Sequence, residues 1–315
     1  MANYAELSAA EWLLEIFTTK PDVILAGANF KWGSVNNDTD DLSAYGFVNA
    51  RNWLTLVDAM PSQKVKVLHA LLWLKSSGFY PDAYDLTTFT RNQRISANTD
   101  HIEAMGAEFA DDNFDIIDVW NEAVTSGGNV ENYVGAPSGQ GVTLTEIGQG
   151  FLDAATNFPG SKLYYNEFGI ERDGTKLQGV IDMVTTLRQN GVRIDGIGSQ
   201  CHLNLRDFPT FDELYRSFSM LKECVDEVRV SELDIRTGLM PAGLTTRQVL
   251  DAQRRAAEVL MNAATRAGLH DVCVWGISDA VSWLYDKHSI AYPTERPLPF
   301  TVKGNAKPFW AGLKR

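Results

Sequence analysis

The chain has 315 residues, 44% hydrophobic and 22% charged, with 28 basic against 40 acidic side chains and a net charge of −12. This is the composition of a folded globular protein, and its acidic balance excludes the basic face that nucleic-acid binding requires. No apolar run approaches the roughly 20 residues needed to cross a bilayer, so neither nucleic acid nor membrane is expected as a partner.

The opening Met-Ala-Asn-Tyr-Ala-Glu has no basic region followed by an apolar core. The protein is expected either to be secreted with its leader removed or to remain in the cytoplasm. Within Ala5–Thr18, the apolar residues Leu7, Trp12, Leu13, Leu14, Ile16 and Phe17 follow a helical pattern. No convincing strand precedes them unless Met1–Tyr4 supplies a vestige.

From there β-branched runs alternate with amphipathic stretches. Strands are predicted at Val23–Phe30, Val65–Trp73, Ile116–Glu122, Lys162–Phe168, Ile194–Leu203, Val228–Ile235 and Val272–Ser278. Helices are predicted over Arg51–Met60, Asp100–Phe109, Thr145–Phe158, Lys176–Asn190, Phe211–Val225 and Thr246–Ala267. Thr143 and Glu146 have capping-box spacing, and Gly191 and Gly268 suit helix C-caps.

Strands spaced by helices predict parallel pairing with right-handed crossovers. The expected fold is α/β, a (β/α)8 TIM barrel with its first strand missing or irregular, in one domain spanning residues 1–315. An open barrel exposes two strand edges, which some segment or partner chain should cover. A monomer is expected unless a partner does so. Cys201, Cys224 and Cys273 cannot all pair within one chain and have no CxxC spacing. Free thiols are therefore expected, with no metal and no cofactor.

Polar residues gather at the C-terminal ends of the predicted strands, where parallel barrels build their sites. Asp118-Val119-Trp120-Asn121-Glu122 ends in a carboxylate beside an amide, a pattern that also suits a helix cap or a surface residue. In Ser231-Glu232-Leu233-Asp234 the two carboxylates are two apart and share the inner face. Burying both without function or counter-charge is costly. Gln200 and His202 share a face by the same alternation; a lone histidine there would read as a satisfied core residue. Trp275 and Trp283 lie at and beyond the last strand. Tryptophan is more often core than ligand platform, but indole faces beside paired carboxylates suit the C–H faces of sugars. Lys31, Trp32, His69 and Trp73 extend this basic and aromatic rim.

Together these segments resemble family 10 glycoside hydrolases, the retaining endo-β-1,4-xylanases built on a (β/α)8 barrel. The resemblance runs in order from about Asn29 to Phe309. Asp118–Ala123 looks like the acid/base motif, which implies that Glu122 is the acid/base and that Asn121 contacts a sugar hydroxyl. Ile194–Leu203 is close to the family signature carrying Gln200 and His202. Val230–Ile235 looks like the nucleophile motif, which implies Glu232 as nucleophile with Asp234 holding His202. Lys31, His69, Trp73, Trp275 and Trp283 fall where the family binds sugar, the last two at the family's spacing of eight. Lys307-Pro308-Phe309 resembles its closing helix.

The chain departs from that pattern at three places. Gly27 and Ala28 stand where the family usually has Glu-Asn, which binds the distal glycone sugar. Leu74, Lys75 and Ser76 replace His-Ser-Gln after Trp73. Asn166, Glu167, Phe168 and Gly169 replace Asn-Asp-Tyr-Asn. The resemblance implies a retaining hydrolase of xylan or xylo-oligosaccharides. A weakly active carbohydrate-binding barrel and a retaining glycosidase for another β-glycan remain as alternatives.

Overall fold

The computed structural model describes residues 11–25, 28–38, 40–61, 64–74, 80–84, 88–130, 142–238, 240, 243–269, 271–284 and 295–314. Eight strands run in chain order: β1 Val23–Leu25, β2 Val65–Leu72, β3 Ile116–Asn121, β4 Lys162–Glu167, β5 Gly196–Ser199, β6 His202–Asn204, β7 Glu227–Arg236 and β8 Val272–Val274. All pair in parallel. β5 and β6 are the lower and upper halves of one barrel position, since both pair with β7, at Glu227–Val230 and at Asp234–Arg236 respectively.

The predicted strand Ile194–Leu203 is therefore broken. Cys201 takes a left-handed backbone, φ 57°, which interrupts the pleat. Seven barrel positions remain, from β1 round to β8, in a (β/α)8-type fold. Among the described residues no strand precedes β1 and none pairs β8 with β1. The possible vestige at Met1–Tyr4 lies outside the described residues.

The helices are α1 Glu11–Thr19, α2 Trp32–Val35, α3 Val48–Asp58, α4 Arg91–Phe109, α5 Leu144–Asn157, α6 Thr175–Gln189, α7 Phe211–Cys224, α8 Thr246–Arg266 and α9 Pro308–Leu313. Capping boxes start four of them, at Thr90/Gln93, Thr143/Glu146, Thr210/Glu213 and Thr245/Gln248. Each N-cap contributes about 1 kcal/mol by satisfying backbone donors that the first turn leaves open. Gly191 and Gly268 follow α6 and α8 with φ 81° and 72°, as their C-cap role requires.

Several predicted boundaries move: β8 stops at Val274 rather than Ser278, and α3 spans Val48–Asp58 rather than Arg51–Met60. α4 begins at Arg91 rather than near Asp100, because its buried face carries Arg94, Asn98 and His101 instead of an apolar stripe. Arg94 Nε meets Glu146 Oε1 at 2.7 Å, both side chains almost wholly buried. The first predicted strand ends at Leu25, and Trp32–Val35 is already helical.

Between sheet and helices lie Trp53, Phe109, Trp120, Phe151 and Leu260, all fully buried. Inside the barrel, Leu25, Val67, Ile116, Tyr164 and Trp275 form their own cluster. That fill leaves the polar ends of β3, β4, β5 and β7 facing one another at the C-terminal mouth.

Candidate functional site

Glu122 follows β3 in a left-handed conformation, φ 59°. Asn121 and Glu122 are consecutive and would point to opposite faces of a regular strand; the left-handed turn brings both side chains into the mouth. Asn121 Nδ2 lies 3.4 Å from Glu122 Oε1, and Gln200 Nε2 donates to Glu122 Oε1 at 3.1 Å and to Asn121 Oδ1 at 3.2 Å.

Glu232, on β7, is 3% exposed. Its Oε1 accepts from Asn166 Nδ2 at 2.6 Å, and the same amide donates to Asn121 Oδ1 at 2.9 Å. Ser231 Oγ donates to Asn166 Oδ1 at 2.6 Å, which turns the Asn166 amide nitrogen toward both partners. One hydrogen-bonded chain thus links the two glutamates: Glu122, Gln200 and Asn121, Asn166, Glu232.

This crowding depends on glycine. A Cβ on Gly198 would lie 2.2 Å from Asn166 Oδ1, and one on Gly196 would lie 2.4 Å from the Tyr164 ring.

His202 Nε2 lies 3.2 Å from Glu232 Oε2 and its Nδ1 2.8 Å from Asp234 Oδ2. Trp283 Nε1 donates to the same Asp234 oxygen at 2.9 Å. On the other flank His69 Nδ1 meets Asp118 Oδ2 at 2.8 Å, and its Nε2 faces Glu232 Oε1 at 3.9 Å.

Burial would raise the Glu232 pKa. The His202 hydrogen bond, the charges of His69 and His202, and the Asn166 hydrogen bond outweigh it and hold the carboxyl below its usual value. For His202, burial would lower the pKa, but the Asp234 carboxylate and the hydrogen bonds to Asp234 and Glu232 raise it well above the ordinary imidazole value.

The aromatic rim closes around this centre. His69 packs edge-on against Trp275 and Trp73 with ring centroids 5.2 and 6.0 Å apart, and His202 against Trp283 at 5.4 Å. Lys31 Nζ sits 4.4 Å from the Trp73 ring centroid. Glu122, Glu232, His202, Asp234, Lys31, His69, Trp73, Asn121, Gln200, Trp275 and Trp283 are therefore all brought to one mouth.

Residues 1–315 match Glycosyl hydrolase family 10 over their whole length. The chain belongs to this family. It is 29% identical over 267 residues to Endo-1,4-beta-xylanase 5 of Pyricularia oryzae, covering 85% of this chain and 62% of that protein. It is 32% identical over 202 residues to Endo-1,4-beta-xylanase A of Thermoanaerobacterium saccharolyticum, covering 62% of this chain and 16% of that much longer protein. The chain thus spans less than two thirds of these relatives. Native xylanase 10B from Thermotoga maritima superposes with a TM-score of 0.85 at 23% identity, covering 99% of this chain and 90% of that one. At that identity the likeness concerns the fold.

Within this family member, sequence reasoning did not single out Asn166, Ser231 or Asp118. Alternation alone would put Asp118 on the helix-facing side with Trp120; the register shift between them turns it to His69. Asn166 and Ser231 lay within quoted motifs, but their roles come from partners distant in sequence. Gly27 of the distal glycone pair, and Lys75 and Ser76 of the altered segment after Trp73, lie outside the described residues. A cavity of about 690 Å³ is bordered by Val23 and Leu25 of β1 and Cys273 and Val274 of β8 and extends under the N-terminal ends of β2, β3, β4 and β7, at Val65, Ile116, Lys162 and Glu227. It reaches the floor of the carboxylate centre only at Ser231 and Trp275; neither Glu122 nor Glu232 lines it.

Proposed function

We propose that the chain is a retaining glycoside hydrolase that cleaves β-1,4-xylosidic bonds by double displacement. The supporting observation is the hydrogen-bonded chain from Glu122 through Asn121 and Asn166 to Glu232, flanked by His202 and Asp234. In this reading Glu232, ionised by its histidine and amide contacts, attacks the anomeric carbon while Glu122 gives its proton to the departing oxygen. Glu122 then takes a proton from water, which releases the sugar with its original configuration. Such chemistry requires carboxyl groups about 5–5.5 Å apart, whereas inversion needs about 6.5–9.5 Å to admit a water between them.

Asn121 and Gln200 orient the acid. His69, Lys31 and the indoles of Trp73, Trp275 and Trp283 bind the sugar, with His69 Nε2 buried and without a hydrogen-bond partner among the described residues. The xylan preference rests on the family and on the names of its relatives. The changed shell at Ala28 and Phe168 leaves chain-length preference to experiment.

The test is product analysis on a panel of β-1,4-linked polysaccharides, with the anomeric configuration read by NMR as product first forms. Xylo-oligosaccharides of β configuration are expected. Glu232→Ala should lose nearly all activity with any leaving group. Glu122→Ala should spare highly activated aryl glycosides in the first step and form a β-glycosyl azide when azide is added. An α-configured first product would overturn the mechanism, and release from β-glucans alone would overturn the substrate.

A further inference from the structure

Three consecutive backbone N–H groups carry the left-handed turn at Glu122, and β4 receives all three. Glu122 N donates to Asn166 O at 2.9 Å, Ala123 N to Tyr165 Oη at 2.9 Å, and Val124 N to Glu167 Oε2 at 3.1 Å. The acceptors are themselves tied together. Tyr165 Oη donates to Glu167 Oε2 at 2.5 Å, Phe168 N donates to Glu167 Oε1 at 3.1 Å, and Lys176 Nζ meets the same oxygen at 2.9 Å. Tyr165 and Glu167 are fully buried and Lys176 nearly so. The Lys176 ammonium also lies 3.3 Å from the centroid of the Phe168 ring.

A buried carboxylate with a lysine, a phenol and two backbone amides around it is a fully committed group. The hydrogen bonds of Tyr165 and Glu167 run to the Ala123 and Val124 amides, while it is Asn166 between them that donates to Glu232. Their point of application is the backbone just beyond Glu122. A non-glycine residue with positive φ is strained and persists only where its surroundings over-determine it; here three hydrogen bonds in a row do so.

We propose that Tyr165, Glu167 and Lys176 are positioning residues that hold the Ala123–Val124 backbone and so aim the Glu122 carboxyl at the leaving oxygen. This rests on the catalytic reading given above. It assigns a function to Glu167, which stands where the family usually has aspartate: its extra methylene carries the carboxylate to the Val124 amide.

The test compares kcat/KM for phenyl and dinitrophenyl β-xylobiosides, which differ in how much proton donation their leaving groups need. Tyr165→Phe removes one hydroxyl and leaves the buried ion pair in place. It should lower kcat/KM on the phenyl substrate about tenfold, the worth of one hydrogen bond in the transition state, and on the dinitrophenyl substrate by less than about twofold. Glu167→Gln should show the same asymmetry, more strongly. The pH profile on the phenyl substrate should change on its alkaline limb, where the acid loses its proton. An equal loss on both substrates, or no loss on either, would overturn the positioning proposal. An unmodified protein inactive on both glycosides would instead overturn the catalytic reading itself.

Discussion

At Glu232 two opposing effects meet. Burial favours the neutral acid, while His202, His69 and Asn166 favour the carboxylate and prevail. The Glu232 carboxylate therefore persists below the usual glutamate value of 4.5, and with Glu232 as the proposed nucleophile the acid limb of kcat/KM is expected below that pH. His202→Asn removes a charge-assisted hydrogen bond and should move that limb up by about one unit. An unmoved limb in the variant would show that His202 does not hold the charge. The same shifts act on folding. The depressed Glu232 stabilises the native state above its unfolded-state pKa and loses that contribution as pH falls through its folded value. The raised His202 contributes below the ordinary imidazole value and loses that contribution as pH rises through its folded value. Urea midpoints measured across this range should therefore fall on both sides.

Among the elements, the C-terminal helix α9 is secured by charge. Lys307, just before it, meets Asp279 Oδ1 and Oδ2 at 3.1 and 3.0 Å and the Arg296 carbonyl at 2.7 Å. Both charged side chains are nearly inaccessible, and burial brings the Lys307 pKa down to about 8 against the pull of Asp279. Lys307→Met should destabilise the fold by about 3–5 kcal/mol in urea titrations, because it strands a buried carboxylate. Adding Asp279→Asn should recover part of the loss while keeping the acceptor for the Leu298 amide at 2.9 Å. A single variant as stable as the parent would show that the pair contributes nothing. The sequence was informative about elements wherever periodicity carried the signal. β2, β3 and β4 and the helices α5 to α8 lie within one or two residues of their predicted bounds. Periodicity failed at α4, whose inner face is polar and whose burial rests on the Arg94–Glu146 pair formed with a distant helix. Gln200 and His202 reach the mouth across a break at Cys201, not along the continuous pleat that the alternation implied. A single left-handed residue other than glycine has no period to read.

On the scale of the whole molecule, the β1 and β8 backbone groups facing the cavity have no strand partner among the described residues. Exposed ladder groups exchange with solvent sooner than paired ones. Amide hydrogen exchange should thus be faster across Val23–Leu25 and Val272–Val274 than across Ile116–Asn121. Equal protection would show that another segment pairs with these edges. The absence of a strand between β8 and β1 among the described residues has a mechanical consequence as well. A ring cut at one point yields first at the cut, while the arc opposite keeps its curvature. Glu122 and Glu232 ride on the continuously paired arc β3–β4–β5–β7, with Asn166 and Gln200 as braces between them. Lys31 follows edge strand β1, His69 lies on its neighbour β2 with Trp73 just after it, and Trp275 and Trp283 follow β8, with the His69–Trp275 ring contact of 5.2 Å joining the two sides. Widening or narrowing at these edges is then expected to move the aromatic rim more than the Glu122–Glu232 pair, as in a spring clip whose grip adapts while its hinge stays true.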